Sequence, residues 1–203
     1  MGTFLIVFLI FLGIGLLIFL FYPILKKQYE YKNHRKIVAK TLYKYASDYD
    51  VFLLNNVKLK YGDETIIFDH ILFGEKFIYC IKDECQKVGI EGNAEDLKWF
   101  SFNLKGDFEY IPNPFKSNNL NVVMLSHYLK INIEDRFFYS IICVNDSCLI
   151  NVEKCKDDEI IINHKNLYNL IKNKERDNSY RKINQERLQK VVKILYEQTQ
   201  GEN

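Results

Sequence analysis

The chain reads as a mixed α/β domain set behind an N-terminal transmembrane helix. Three observations predict this. No Lys, Arg, Asp or Glu occurs before Lys26, in a chain of 203 residues of which 27% are charged. Beyond that point, short runs of β-branched and aromatic residues are interspersed with stretches of helical apolar spacing. Hydrophobic residues make up 48% of the whole, which excludes a disordered or collagen-like chain. Five Cys in this length do not describe a disulfide-stapled miniprotein. The charged part is long enough for one domain with a core and short for two.

Residues 1–25 are expected to form the anchor. Thr3 to Tyr22 reads TFLIVFLIFLGIGLLIFLFY, and about 20 helical residues at about 1.5 Å each cross a hydrocarbon core of about 30 Å. A helix also satisfies its own backbone hydrogen bonds there. A cleaved signal peptide would need a basic start and a small-residue cleavage site. Here the start is Met-Gly-Thr, and the apolar run continues through Phe21-Tyr22-Pro23-Ile24-Leu25. Residues 26–36 form a basic juxtamembrane segment. From Lys26 to Lys44 there are seven basic residues against Glu30 alone. The positive-inside rule therefore predicts a single-pass protein of the cell membrane with its C-terminal domain in the cytoplasm. Thiols stay reduced there. The same basic cluster can rest on anionic headgroups.

Residues 37–163 are expected to be one α/β domain and 164–203 its C-terminal helices. Ile37 to Tyr45 has helical spacing, and Val51 to Leu54 reads as a strand. After a turn at Tyr61-Gly62-Asp63, Thr65 to Phe73 and Lys76 to Lys82 form a hairpin around Gly74. Gln86 to Glu91 and Leu97 to Asn103 are further strands. Asn118 to Ile131 carries a helical stripe. Phe137 to Val144 is a continuous apolar run, as in a buried central strand. Cys148 to Val152 and Glu159 to Ile162 are short strands. Helices follow at His164 to Lys174 and Ser179 to Gln198, the last with Ile183, Leu188, Val191, Val192 and Leu195 on one face. The order argues for a mixed sheet flanked by helices.

Residues 45–164 hold 12 basic and 20 acidic side chains, whereas 165–193 hold nine basic and three acidic. A nucleic-acid groove should be positive, so only the C-terminal helices offer one.

The hairpin carries the informative charges. Asp69 lies inside the apolar run Ile66 to Leu72, where a carboxylate is costly unless paired or bound to a cation. Strand alternation puts Lys82 and Glu84 on one face of the neighbouring strand, and it makes His70 face away from Asp69. Two carboxylates and a Lys on adjacent strands suit a Mg²⁺- or Mn²⁺-dependent phosphodiesterase. Asp69 and Glu84 would be the metal ligands, and Lys82 would orient the nucleophile or neutralise charge. The pairs Cys80/Cys85 and Cys143/Cys148, with Cys155, have zinc-compatible spacing, but Cys80 and Cys143 sit in apolar strands. No Gly-rich phosphate loop is present.

The stretches Phe68-Asp69-His70-Ile71-Leu72-Phe73-Gly74, Phe77 to Ile81, Gly89-Ile90-Glu91-Gly92, Trp99 and Asn113-Pro114 resemble the NERD (nuclease-related domain) family, of the restriction-endonuclease-like superfamily. The resemblance covers roughly residues 34–130. It implies a restriction-endonuclease-like mixed sheet, often following a membrane anchor, with Asp69 as the metal-binding Asp. It also implies departures. Lys82 stands where the family has its catalytic Glu, and Glu84 stands where it has its catalytic Lys. His34-Arg35 replaces an early Gly-Glu, and Ser117 replaces a Gln. A Lys in a carboxylate's place repels a divalent cation.

The expected function is accordingly a membrane-anchored, cytoplasm-facing module that has lost nuclease activity, needs no cofactor, and binds a protein or nucleic-acid partner. Two alternatives stand beside it. One is an active metal-dependent DNA or RNA nuclease using Asp69, Lys82 and Glu84. The other is a membrane scaffold that self-associates through its C-terminal helix.

Overall fold

Helix α1 (Gly2–Tyr49) is one element of 48 residues, about 72 Å long. The anchor, the basic segment and the helix expected from Ile37 are therefore fused, with Pro23 inside the helix. The computed structural model describes all residues except 1, 62–63, 104, 132–136 and 201–203. It describes no side chains for residues 2–11, 13, 61, 64, 199 and 200 either. Among the described residues no helix is long and apolar enough to cross a membrane. Thr3 to Phe11 and Gly13 fall outside the described side chains, so the span remains an expectation of the sequence alone. The turn expected at residues 61–63 also lies largely outside the description.

After α1 the chain runs β1 (Phe52–Tyr61), β2 (Glu64–Phe73), β3 (Ile78–Glu84), β4 (Gly89–Asn93), β5 (Lys98–Phe102), β6 (Phe108–Pro112) and α2 (Pro114–Leu129). It continues β7 (Phe138–Val144), β8 (Leu149–Glu153), β9 (Glu159–Asn163), α3 (His164–Glu175) and α4 (Gln185–Gln200). The strands form two sheets rather than one, ordered β1-β2-β3-β7-β9 and β6-β5-β4-β8. In the larger sheet β1, β2 and β3 are antiparallel, and β7 pairs parallel to both β3 and β9. Every residue of β7 is buried, as its unbroken apolar run requires. β6 escaped the sequence pattern because it is a largely exposed edge strand with no buried face to impose alternation.

Helices cover both faces of the larger sheet. Val122, Leu125 and Leu129 of α2, with Leu188, Val192 and Leu195 of α4, pack on Ile71, Phe73, Ile78 and Cys80. Val38, Leu42 and Tyr45 of α1, with Leu167 and Ile171 of α3, pack on Leu72, Tyr79 and Ile81. The apolar stripe of the last helix is thus buried in the chain's own core. That corrects the premise of the scaffold alternative, which needed this face free for a partner.

Three contacts fix the turns around this frame. A Cβ on Gly74 would stand 2.2 Å from Glu175 Oε1. The Glu175 carboxylate fills that space, accepting from the Tyr79 hydroxyl at 2.9 Å and the Lys76 amide at 3.0 Å. A Cβ on Gly92 would meet the Trp99 ring at 2.3 Å. Asn113 caps α2: its Oδ1 accepts from the Phe115 amide at 2.9 Å, and its Nδ2 donates to Ala94 O and Asp96 O at 3.0 and 2.7 Å. Pro114 occupies the first turn of α2, where no N–H is required.

Two stability changes follow. Gly74→Ala should lower unfolding stability by about 1–3 kcal/mol through overpacking, and Glu175→Ala in the same chain should relieve part of that loss. Asn113→Ala should cost about 1–3 kcal/mol, combining a lost cap with the buried Ala94 carbonyl left unpaired. Thermal unfolding of the detergent-solubilised chain measures both.

Candidate functional site

The residues of the site converge because β1 and β2 share a kink. Pairing keeps one register on both sides of it, with Asn55 opposite His70 and Val57 opposite Phe68. Between them Asn56 takes left-handed backbone, φ 54°, which Asn tolerates better than most residues. The face that is buried then changes. Ile66 and Phe68 enter the core under α2 and α4, but so do Ile71 and Phe73; on β1 the same holds for Leu59 and Val57 and then Leu54. Strict alternation cannot produce this. Asp69 sits at the break, so it and His70 reach toward the same neighbours. The expectation that His70 faces away from Asp69 is therefore corrected.

Those neighbours are Arg35 of α1 and Asp83 of β3. Arg35 Nη2 donates to Asp69 Oδ1 at 2.6 Å and to Asn56 Oδ1 at 2.6 Å. The backbone N–H of Asp83 donates to Asp69 Oδ2 at 3.1 Å. Both carboxylate oxygens of Asp69 are thus engaged. Arg35 Nε lies 3.9 Å from Asp83 Oδ2, and His70 Nε2 lies 2.9 Å from the same oxygen. His70 Nδ1 is 2.6 Å from Asn55 Oδ1. With the Asn55 oxygen accepting from Nδ1, the second contact is a hydrogen bond when the ring carries both protons or Asp83 carries one. Asp83 Oδ1 is buried and has no hydrogen-bond partner among the described residues.

Lys82 and Glu84 belong to the other face. Cys80 packs under α2 and α4, whereas Tyr79 and Ile81 pack under α1 and α3. Alternation along β3 therefore aims Asp83 at α1 and turns Lys82 and Glu84 away. Burial raises the Glu84 carboxyl above its ordinary range, an effect that the Lys82 charge partly offsets and that Asp69 and Asp83 reinforce. Of the three residues singled out from the sequence, only Asp69 joins the cluster. Arg35 and Asp83 had visible signals: Arg35 marked a departure from the family pattern, and Asp83 lies between two of the singled-out residues. Regular alternation hid Asp83, and no local pattern tells that Arg35, on a helix, reaches β2.

A second pair lies one residue back along α1. His34 Nε2 contacts Cys143 O at 3.0 Å, and His34 Nδ1 contacts His164 Nδ1 at 3.3 Å. A carbonyl only accepts, so Nε2 carries the proton. In the neutral ring Nδ1 then accepts from His164. His164 Nε2 lies 3.6 Å from Asp146 Oδ1. Burial pulls His34 below its usual range, although the Cys143 carbonyl and the Asp83 charge oppose the shift.

The remaining candidates are structural. Cys80 and Cys143 are buried, and burial pushes both thiols up, so neither is a ready nucleophile. Cys85 and Cys148 are each raised to about 11, chiefly by burial. Among the described residues no three His, Cys, Asp or Glu side chains are grouped to hold a metal ion.

His34 makes the fold sensitive to acid. Its neutral form is favoured in the folded state, so its contribution is complete above pH 6.5, the unperturbed value. It declines as pH falls below 6.5 and is gone below the lowered folded value. The stability difference between the native chain and His34→Gln should therefore shrink on acidification from pH 7.5 to 5. A difference that stays constant over that range in pH-resolved thermal melts would contradict the assignment.

Comparison with known proteins gives one positive result. No curated protein and no solved structure matches the chain. The model of the nuclease-related domain family matches residues 31–145. That is more than half of the chain, and it takes in the paired ends of α1, β2 and β3 that build the Asp69 cluster, so the protein belongs to the NERD family.

Proposed function

We propose that this is a membrane-anchored, cytoplasm-facing nuclease-related module that no longer cuts and acts by binding a partner. The observation that carries the reading is the Arg35–Asp69 ion pair at 2.6 Å. In the family pattern Asp69 would hold a divalent cation. Here a guanidinium occupies one oxygen and a backbone N–H the other. The donor set does not fit the metal in two further respects. Lys82, in the position of the catalytic Glu, offers no carboxylate and points to the face opposite Asp83. Glu84 lies on the face opposite Asp83, and burial disfavours its charged form.

The membrane part of the reading rests on the sequence: the charge-free run to Leu25, and the basic residues that follow it. The charges of the C-terminal helices and of the segment that joins them favour a protein over a nucleic acid as the partner. Lys182 is paired with Glu75 at 2.6 Å, Lys174 lies over the Tyr139 ring, and Arg187 donates to Leu129 O and Lys130 O. Charges committed within the chain are less available to phosphates.

Titration of the full chain, purified in detergent, with Mn²⁺ in a calorimeter tests the loss of the metal site. The expected trace shows only heats of dilution, and supercoiled plasmid should stay intact when incubated with Mn²⁺ and the protein. Micromolar binding that disappears in Asp69→Ala would defeat the reading.

A further inference from the structure

Two buried histidines tie α1 to the rest of the domain. His34 of α1 is 3% exposed and His164, which opens α3, is 6% exposed. Their ring centroids are 5.5 Å apart, and Nδ1 faces Nδ1 at 3.3 Å. Only one proton fits between two nitrogens at that distance. His34 Nε2 donates to Cys143 O. A neutral His34 therefore has no proton left for Nδ1, and the proton between the rings belongs to His164. Acid acts on the two rings differently. His164 Nε2 lies 3.6 Å from Asp146 Oδ1, so a proton added there meets a carboxylate and leaves the bond between the rings in place. His34 can take a proton only at Nδ1, where N–H would face N–H. We infer that the pair is a latch opened by acid: protonation of His34 parts this turn of α1 from β7 and α3, while the opposite face of the larger sheet stays packed.

The surroundings set the direction. Burial has the largest influence on His34 and pulls it below its ordinary 6.5. The Cys143 carbonyl of β7 and the Asp83 charge of β3 oppose that shift, while His164 of α3 and His70 of β2 add to it. Asp83 is itself shared with His70 at 2.9 Å and Arg35 at 3.9 Å. On α1, Arg35 pairs with Asp69 and Glu30 with Lys26. The Cys143 thiol stays neutral, because burial pushes it up. A ring released to water takes its proton near the ordinary value. The closed latch is therefore fully favoured above pH 6.5 and loses ground as pH falls below it. Arg35 follows His34 in the helix, so the same step draws the guanidinium from Asp69 and uncovers Asp83. The latch thus acts on the Asp69 cluster, and it depends neither on membrane anchoring nor on loss of cleavage.

Two native thiols read the latch in the full, detergent-solubilised chain. Cys143 and Cys80 are both fully buried, but Cys143 packs on the α1–α3 face of the sheet and Cys80 on the α2–α4 face. Labelling with 4,4′-dithiodipyridine, followed by peptide mass spectrometry, gives a rate for each, and the ratio of the two cancels the reagent's own pH dependence. The Cys143-to-Cys80 ratio should rise about tenfold from pH 7.5 to 5.0. That is within the ceiling of about 30-fold that one proton allows over the roughly 1.5 units below 6.5. In His34→Gln the ratio should stay flat, because the amide nitrogen and oxygen can make both contacts and neither titrates. His127→Gln, on an exposed position of α2, should behave like the native chain. A ratio that stays constant in the native chain, as unfolding of the whole domain would give, overturns the latch. So does an equal rise in His34→Gln.

Discussion

Asp83 is the constraint around which this domain is arranged. Its side chain is only 7% exposed, and an unpaired carboxylate at that depth costs several kcal/mol. The chain answers with a cation from α1, an imidazole from β2 and the kink that turns β2 toward both. The Arg35–Asp69 pair is shorter, but Arg35 is 56% and Asp69 22% exposed. An ion pair that open to water contributes about 0–1 kcal/mol by itself. Its importance is positional: it holds the guanidinium across the mouth of the cluster, near Asp83. Deep burial makes the partnership necessary, and the surface pair decides its geometry.

This explains why elements were easier to read than the site. The β2–β3 hairpin, the central β7 and helix α2 follow from composition and periodicity, because each buries a face of fixed phase. The kink follows from neither. Register is continuous through Asn56 and Asp69, and the evidence for a phase change is that Phe68 and Ile71, three residues apart, enter the same core. In the sequence, Phe68 to Leu72 reads as an ordinary apolar strand with one charge in it. A period-two reading then assigns Asp69 and His70 to opposite faces and selects Lys82 and Glu84 as partners. Asp83, which the kink brings into play, drops out. The apolar stripe of α4 was legible too. Whether it met a partner or the chain's own β1 depended on long-range packing that no local pattern encodes.

The family motifs divide along the same line. Gly92 leaves room for the Trp99 ring, Gly74 leaves room for the Glu175 carboxylate, and Asn113-Pro114 begins α2 while tying it to the smaller sheet. Each is a packing device, and each is retained. All three lie within residues 31–145, the stretch that matches the nuclease-related domain family. On the resemblance read from the sequence, the cleavage chemistry would reside at Asp69, Lys82 and Glu84, and of these Asp69 has both carboxylate oxygens engaged.

Helix α1 joins these parts in one continuous element. His34 and Arg35 belong to the same helix as the apolar run, and no break separates them among residues 2–49. Arg35 is held by β1 and β2, and His34 by β7 and α3. A rotation of the helix about its axis would carry His34 and Arg35 together, because adjacent helical residues are about 100° apart and move as one body. Breaking either contact set would expose the buried partner of the other. In the proposed orientation the domain is joined to the apolar run by continuous helix rather than by a loop, so a partner would approach from the sides that α1 and the membrane leave open. Those sides include the exposed β6 edge of the smaller sheet.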